Sequence, residues 1–156
     1  MRVVVDTNVM ISAVLWLGTP HRIVELAEQK RIVLCMTETL LDELREVLAR
    51  PKFKPYFQAR HTSIEEIFSA LLPLIELYST TTVADAKLSD PDDEMFIACA
   101  ISADAEYIIS GDDHLLRLKQ YRRIRILNPT DFLHAVEMKH GNDANATESN
   151  AMANST

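Results

Sequence analysis

No apolar run in the sequence approaches the ~20 residues needed to cross the hydrocarbon core of a bilayer, so a membrane partner is not expected. The first residues lack a basic region followed by an apolar stretch and a small-residue cleavage site. An export signal is therefore not expected, and the cytoplasm is the expected location. A C-x-x-C pair is missing too. Cys35 and Cys99 each fall inside an apolar segment, which suits buried thiols in a reducing compartment. The five histidines (His21, His61, His114, His134, His140) show no metal-ligand spacing, and Ser110 with His114 makes no credible triad. There is no internal repeat. Nor is there an excess of basic charge: the net charge of −7 argues against a simple cationic nucleic-acid surface. Acids that hold divalent cations invert the local electrostatics, however, so a metal-dependent nuclease stays compatible with an acidic total.

What is present begins with Arg2-Val3-Val4-Val5-Asp6-Thr7-Asn8. Three consecutive β-branched residues read as a strand buried on both faces, as in the middle of a parallel sheet. The run stops at Asp6, and helical apolar spacing starts at Val9. An acid at the carboxyl end of a central strand stands where open α/β sheets place their ligands, although Asp6 or Asn8 would equally serve as a helix cap. Ile32-Val33-Leu34-Cys35-Met36 and Tyr107-Ile108-Ile109 read as further buried strands. Residues 77–83 suggest a short Thr-rich strand, and Ile124-Arg125-Ile126-Leu127 alternates like an edge strand, about five strands in all.

Between these strands lie amphipathic helical patterns: residues 9–17, residues 23–27, and a stretch that Thr37 caps and that carries Leu40, Leu41, Leu44, Val47 and Leu48 on one stripe. Another covers residues 64–75 and bends near Pro73. Asp90 and Pro91 suit the cap and first position of an apolar helix over residues 95–103. A short helix follows at Leu115, and the last starts at Pro129 and runs through Val136. Residues 50–60 read as a turn or short helix with a cationic face. Residues 1–138 thus form one α/β domain, three layers deep with a mainly parallel central sheet. Residues 139–156 are polar and small, and are expected to be a disordered tail.

Acids recur at the ends of these strands: Asp6, the cluster Asp90, Asp92, Asp93 and Glu94, and Asp112, with Glu43 one to two turns into the helix after the second strand. Each alone is explained by helix capping or the helix dipole. Together they gather four or more carboxylates at one sheet edge. Such a set repels itself and needs a cation, and its hard oxygens suit Mg²⁺ or Mn²⁺.

Val5-Asp6-Thr7-Asn8-Val9, Glu43, Asp90-Pro91-Asp92-Asp93 and Tyr107-Ile108-Ile109-Ser110-Gly111-Asp112, in this order, make the chain resemble the PIN domain over roughly residues 2–137. Within that family it is similar to the VapC-like toxin ribonucleases of toxin–antitoxin systems. Arg50-Pro51-Lys52-Phe53 and Asn128-Pro129-Thr130-Asp131-Phe132-Leu133 look like its toxin branch. The resemblance implies a three-layer PIN-like fold and a quartet of Asp6, Glu43, Asp93 and Asp112 around Mg²⁺ or Mn²⁺. Glu94 is the alternative register for the third acid. It also implies an endoribonuclease that activates water for in-line attack on an RNA phosphodiester.

Asn8, Asp90, Glu94 and Ser110 are the expected supports; Ser110 stands where many members have threonine. Lys52, Lys54, Arg60, Arg122, Arg123 and Arg125 would contact the RNA backbone. A cognate antitoxin is the expected partner, and a homodimer is expected through residues 20–50 and 62–78. Competing readings are an aspartate-based phosphohydrolase, which usually wants a second Asp where Asn8 stands, a receiver domain, which wants an early acid pair, and a non-catalytic PIN-like RNA- or protein-binding module.

Overall fold

Val3, Val4 and Val5 put successive side chains on opposite faces of a strand, and all three are buried, so both faces of that strand are covered. The computed structural model describes residues 1–80 and 90–153, with side chains described for these except Asp92 and residues 142–153. Its strands are β1 (Arg2–Val5), β2 (Val33–Met36), β3 (Ile75–Leu77), β4 (Tyr107–Ile109), β5 (Gln120–Tyr121) and β6 (Ile124–Leu127). They form one sheet in the order β3-β2-β1-β4-β6-β5. Every pairing is parallel except β5 with β6. From β1 the chain builds outward through β2 and β3 on one side and through β4 and β6 on the other. The order therefore reverses between β1 and β4, and a crevice opens there at the carboxyl ends.

Helices flank the sheet: α1 (Thr7–Leu15), α2 (His21–Glu28), α3 (Glu38–Leu48), α4 (Lys54–Ala59), α5 (Ile64–Leu71), α6 (Pro91–Ser102), α7 (Asp113–Leu118) and α8 (Pro129–Ala153). The expected α/β architecture with a mainly parallel sheet is what the chain forms. Thr37 caps α3 as its residue type suggests, its hydroxyl accepting from the Leu40 N–H at 3.1 Å. The cysteines are buried and free, and burial pushes the Cys35 thiol up to about 11 and the Cys99 thiol up to about 12. Among the described residues no helix is long and apolar enough to cross a membrane.

Several boundaries differ from the sequence pattern. The sheet has a sixth strand, β5, so β6 is not the outermost one. The hairpin joining them turns through Arg122 at φ 52°, a left-handed conformation for which sequence reading looks to glycine or asparagine. The expected strand over 77–83 is instead β3, which begins at Ile75 because Pro73 ends the preceding helix in a single 3₁₀ turn, Leu72–Leu74. Residues 81–83 lie outside the described residues. Residues 50–60 form a 3₁₀ turn (Pro51–Phe53) and α4. The final helix was expected through Val136 and extends to Ala153. No proline interrupts residues 137–153 and alanine recurs there, which lets the helix continue although Gly141 and the asparagines are weak helix formers.

Candidate functional site

The β1–α1 junction is built on the Asp6 carboxylate. Asp6 leaves β1 in an extended conformation (φ −66°, ψ 159°), and its Oδ1 accepts from the Val9 N–H at 2.8 Å, which caps α1. Its Oδ2 accepts from the Ser110 hydroxyl and from the Gly111 N–H, the latter at 3.1 Å. One buried side chain thereby ties the end of β1 to the end of β4. Backbone bonds continue the tie: Asp6 N–H donates to the Ile109 carbonyl at 2.9 Å, and Ser110 N–H to that of Leu127 at 3.0 Å. Burial raises the Asp6 carboxyl above its ordinary pKa. The three hydrogen bonds oppose that rise, and the neighbouring Asp112 charge adds to it.

Asp112 is reached through the same hydroxyl, its N–H donating to Ser110 Oγ at 3.0 Å. Its own Oδ1 accepts from the His114 N–H at 2.7 Å, which caps α7. Glu43 comes from α3 and accepts from the Thr7 hydroxyl at 2.9 Å, fixing α3 against the start of α1. Asp93 lies in the first turn of α6 and is buried. Removing the Ser110 hydroxyl should loosen this network. Ser110→Ala is expected to cost about 1–3 kcal/mol in urea unfolding, because a fully buried hydroxyl serves two partners. A loss within 0.5 kcal/mol, roughly that of an ordinary surface change, would show the hydroxyl to be dispensable.

All four expected acids line one cavity of about 170 Å³ at the carboxyl edge: Asp6, Glu43, Asp93 and Asp112, together with Thr7, Asn8, Val47, Arg50, Phe96 and Leu115. Glu94, the alternative third acid, does not line it and is half-buried, and Asp90 also stands outside the lining. Ser110 is fully buried behind Asp6, and Asn8 is exposed on the cavity wall.

The expected basic residues divide. Lys52 and Lys54 stand two and four residues after the cavity residue Arg50. Arg60 lies over the Tyr56 ring, 4.4 Å from its centroid. Arg122 and Arg123 turn the β5–β6 hairpin at the amino end of β6, and Arg125 pairs in register with Tyr107. Because β6 runs parallel to β4 and β1, these three arginines do not stand at the edge that carries the acids. Thr7 and Arg50 were not expected in the cavity. The sequence offers only proximity as a signal: Thr7 adjoins Asp6, and Arg50 follows the end of the helix that carries Glu43.

The donor set suits a hard divalent cation, with four carboxylates around an open cavity and no sulfur or imidazole in its lining. Among the described residues no three acids, histidines or cysteines are drawn together tightly enough to cage an ion by themselves.

Comparisons with known proteins bear on the family and the fold. An uncharacterized protein of Methanocaldococcus jannaschii is 28% identical over 148 residues, covering 88% of this chain and 92% of its own. The fold is similar to chains in the crystal structure of VapBC2 from Rickettsia felis bound to a DNA fragment from their promoter. That match has a TM-score of 0.55 and 16% identity, over 82% of this chain and 98% of that one. It is also similar to a chain of FitAcB from Neisseria gonorrhoeae, with a TM-score of 0.51 and 18% identity, over 81% of this chain and 97% of that one. Residues 2–114, including all four cavity acids, match the sequence model of the PIN domain, and the chain belongs to the PIN domain family.

Proposed function

We propose that the chain is an Mg²⁺- or Mn²⁺-dependent endoribonuclease acting in the cytoplasm as the toxin of a toxin–antitoxin pair. The observation that carries this reading is the meeting of Asp6, Glu43, Asp93 and Asp112 in one cavity at the point where the strand order reverses. These four would hold the cation, which when bound supplies Lewis-acid activation of water and offsets charge on the phosphoryl oxygens. Ser110 and Gly111 fix the Asp6 carboxylate so that it need not reorganise on binding, and Thr7 does the same for Glu43. Asn8, exposed on the cavity wall, would orient the RNA strand.

The partner side of the proposal rests on the resemblance to toxin-type members and on fold neighbours taken from the VapBC2 and FitAcB structures. A cognate antitoxin would cover the cavity. A second copy would dock through residues 20–50 and 62–78, where Leu72 and Leu77 are exposed.

The test is to incubate the purified chain with mixed RNAs in Mg²⁺, in Mn²⁺ and in chelator, and to map the cut ends. Internal cleavage that needs the cation is expected. RNA bound without cuts would favour a binding module, and hydrolysis confined to small phosphate esters would favour an aspartate-based phosphohydrolase. Either result would overturn the nuclease reading.

A further inference from the structure

Among the described residues Arg50 is the one basic residue in the cavity lining, and of the arginines with no ion pair, ring or side-chain hydrogen bond (Arg50, Arg117 and Arg123) it alone shares a cavity with the acids. Arg2, Arg22 and Arg45 are held in ion pairs, and Arg45, Arg60, Arg122 and Arg125 lie over aromatic rings. The Arg50 guanidinium has neither kind of partner among the described residues, although it shares its cavity with four acids. If Arg50 served only to offset those acids, a close charge-assisted pair with one of them would be expected. The backbone beneath it is fixed. Pro51 holds Arg50 in an extended conformation (φ −64°, ψ 143°) and so ends α3. Its N–H donates to the Val47 carbonyl, and its carbonyl accepts from Phe53 N–H, both at 3.1 Å. A firmly placed Cα thus carries an exposed, unpaired guanidinium at the mouth of an acidic cavity.

From this arrangement we infer that Arg50 binds the phosphodiester group of the substrate and holds it against the acid quartet. The inference rests on the nuclease reading and adds a binding residue to it. The chemistry is selective. Once cations neutralise the carboxylates, the remaining fixed positive charge at the site is a planar fork that matches two phosphate oxygens at once. Glu43 and Val47 lie one turn apart on α3, and Arg50 leaves the end of that helix into the same cavity, so one segment brings an acid for the cation and a cation for the phosphate to one site.

The test uses the full chain and its Arg50→Ala and Arg50→Lys variants. Three quantities are measured: Mn²⁺ affinity by calorimetry, affinity for a fluorescent, uncleavable 2′-O-methyl oligoribonucleotide with Mn²⁺ or chelator, and kcat and KM on cleavable RNA. Arg50→Ala should keep or tighten Mn²⁺ binding and keep its melting temperature. It should lose Mn²⁺-dependent oligonucleotide affinity by about 10- to 100-fold, the scale of a hydrogen bond to a charged group. Arg50→Lys should recover only part of that loss, because a point charge does not reproduce the fork. Equal oligonucleotide affinity and equal kcat/KM in wild type and Arg50→Ala would overturn the inference. So would a variant whose defect is lost Mn²⁺ binding alone, which would mean that Arg50 shapes the cation site instead. Absence of cleavage by the wild-type chain would reject the nuclease reading separately.

Discussion

Asp93→Asn is expected to abolish cation-dependent RNA cleavage and leave the chain folded. The substitution keeps the side-chain shape in the first turn of α6 but removes one of four carboxylate charges from the cavity. If Asp93 only favoured the helix dipole, the change would cost at most about 1 kcal/mol of stability and leave cleavage intact. As a cation ligand, its loss should lower the rate by more than about 100-fold, beyond what partners outside the ligand shell usually cost. Without cation, the variant should unfold at the same temperature or a higher one, because repulsion within the quartet is relieved. Melting without cation and cleavage with Mn²⁺ should be measured on one preparation. Normal cleavage by a folded Asp93→Asn would remove this residue from the site and direct attention to Glu94.

The largest expected effect on stability lies elsewhere. Phe132 of α8 is fully buried and meets the Tyr107 ring edge-on, with centroids 5.4 Å apart and planes at 71°. Tyr107 belongs to β4, which pairs with both β1 and β6. Phe132→Ala would leave a cavity at the seam between the last helix and the sheet, costing about 3–5 kcal/mol. That is a large share of the 5–15 kcal/mol, roughly, that holds a typical domain together. For a chain of this length each kcal/mol shifts the midpoint by about 2–4 °C, so the melting temperature should fall by roughly 6–20 °C. A fall of less than about 2 °C would show that α8 does not depend on this contact.

The parts of the fold that were legible in sequence are those where one physical demand left one pattern. A strand covered on both faces needs an unbroken apolar run, and Val3-Val4-Val5 and Tyr107-Ile108-Ile109 supply one. Acids that close a strand or open a helix stand out because the chain changes period there, so Asp6, Asp93 and Asp112 were visible. Features that depend on how separate elements approach one another were hidden. Thr7 meets Glu43 only because α3 packs on α1, and Arg50 enters the cavity by the same packing. The β5–β6 hairpin escaped notice because Arg122 takes a left-handed turn position without the usual residue type. The basic residues at 122–125 looked like companions of the site until the parallel register placed them away from its edge.

The junction at Asp6 has a consequence for reading this site across relatives and through evolutionary drift. Asp6 caps α1 and fastens β1 to the end of β4 whether or not a cation is ever bound. Asp112 similarly caps α7. A descendant that lost catalysis would still be under selection to keep both residues, because their removal would first damage the fold. Glu43 is tied by a single hydrogen bond to Thr7, so it is freer to change once activity no longer matters. An intact Asp6 therefore says little about whether a relative cuts RNA. An intact Glu43 says a good deal more.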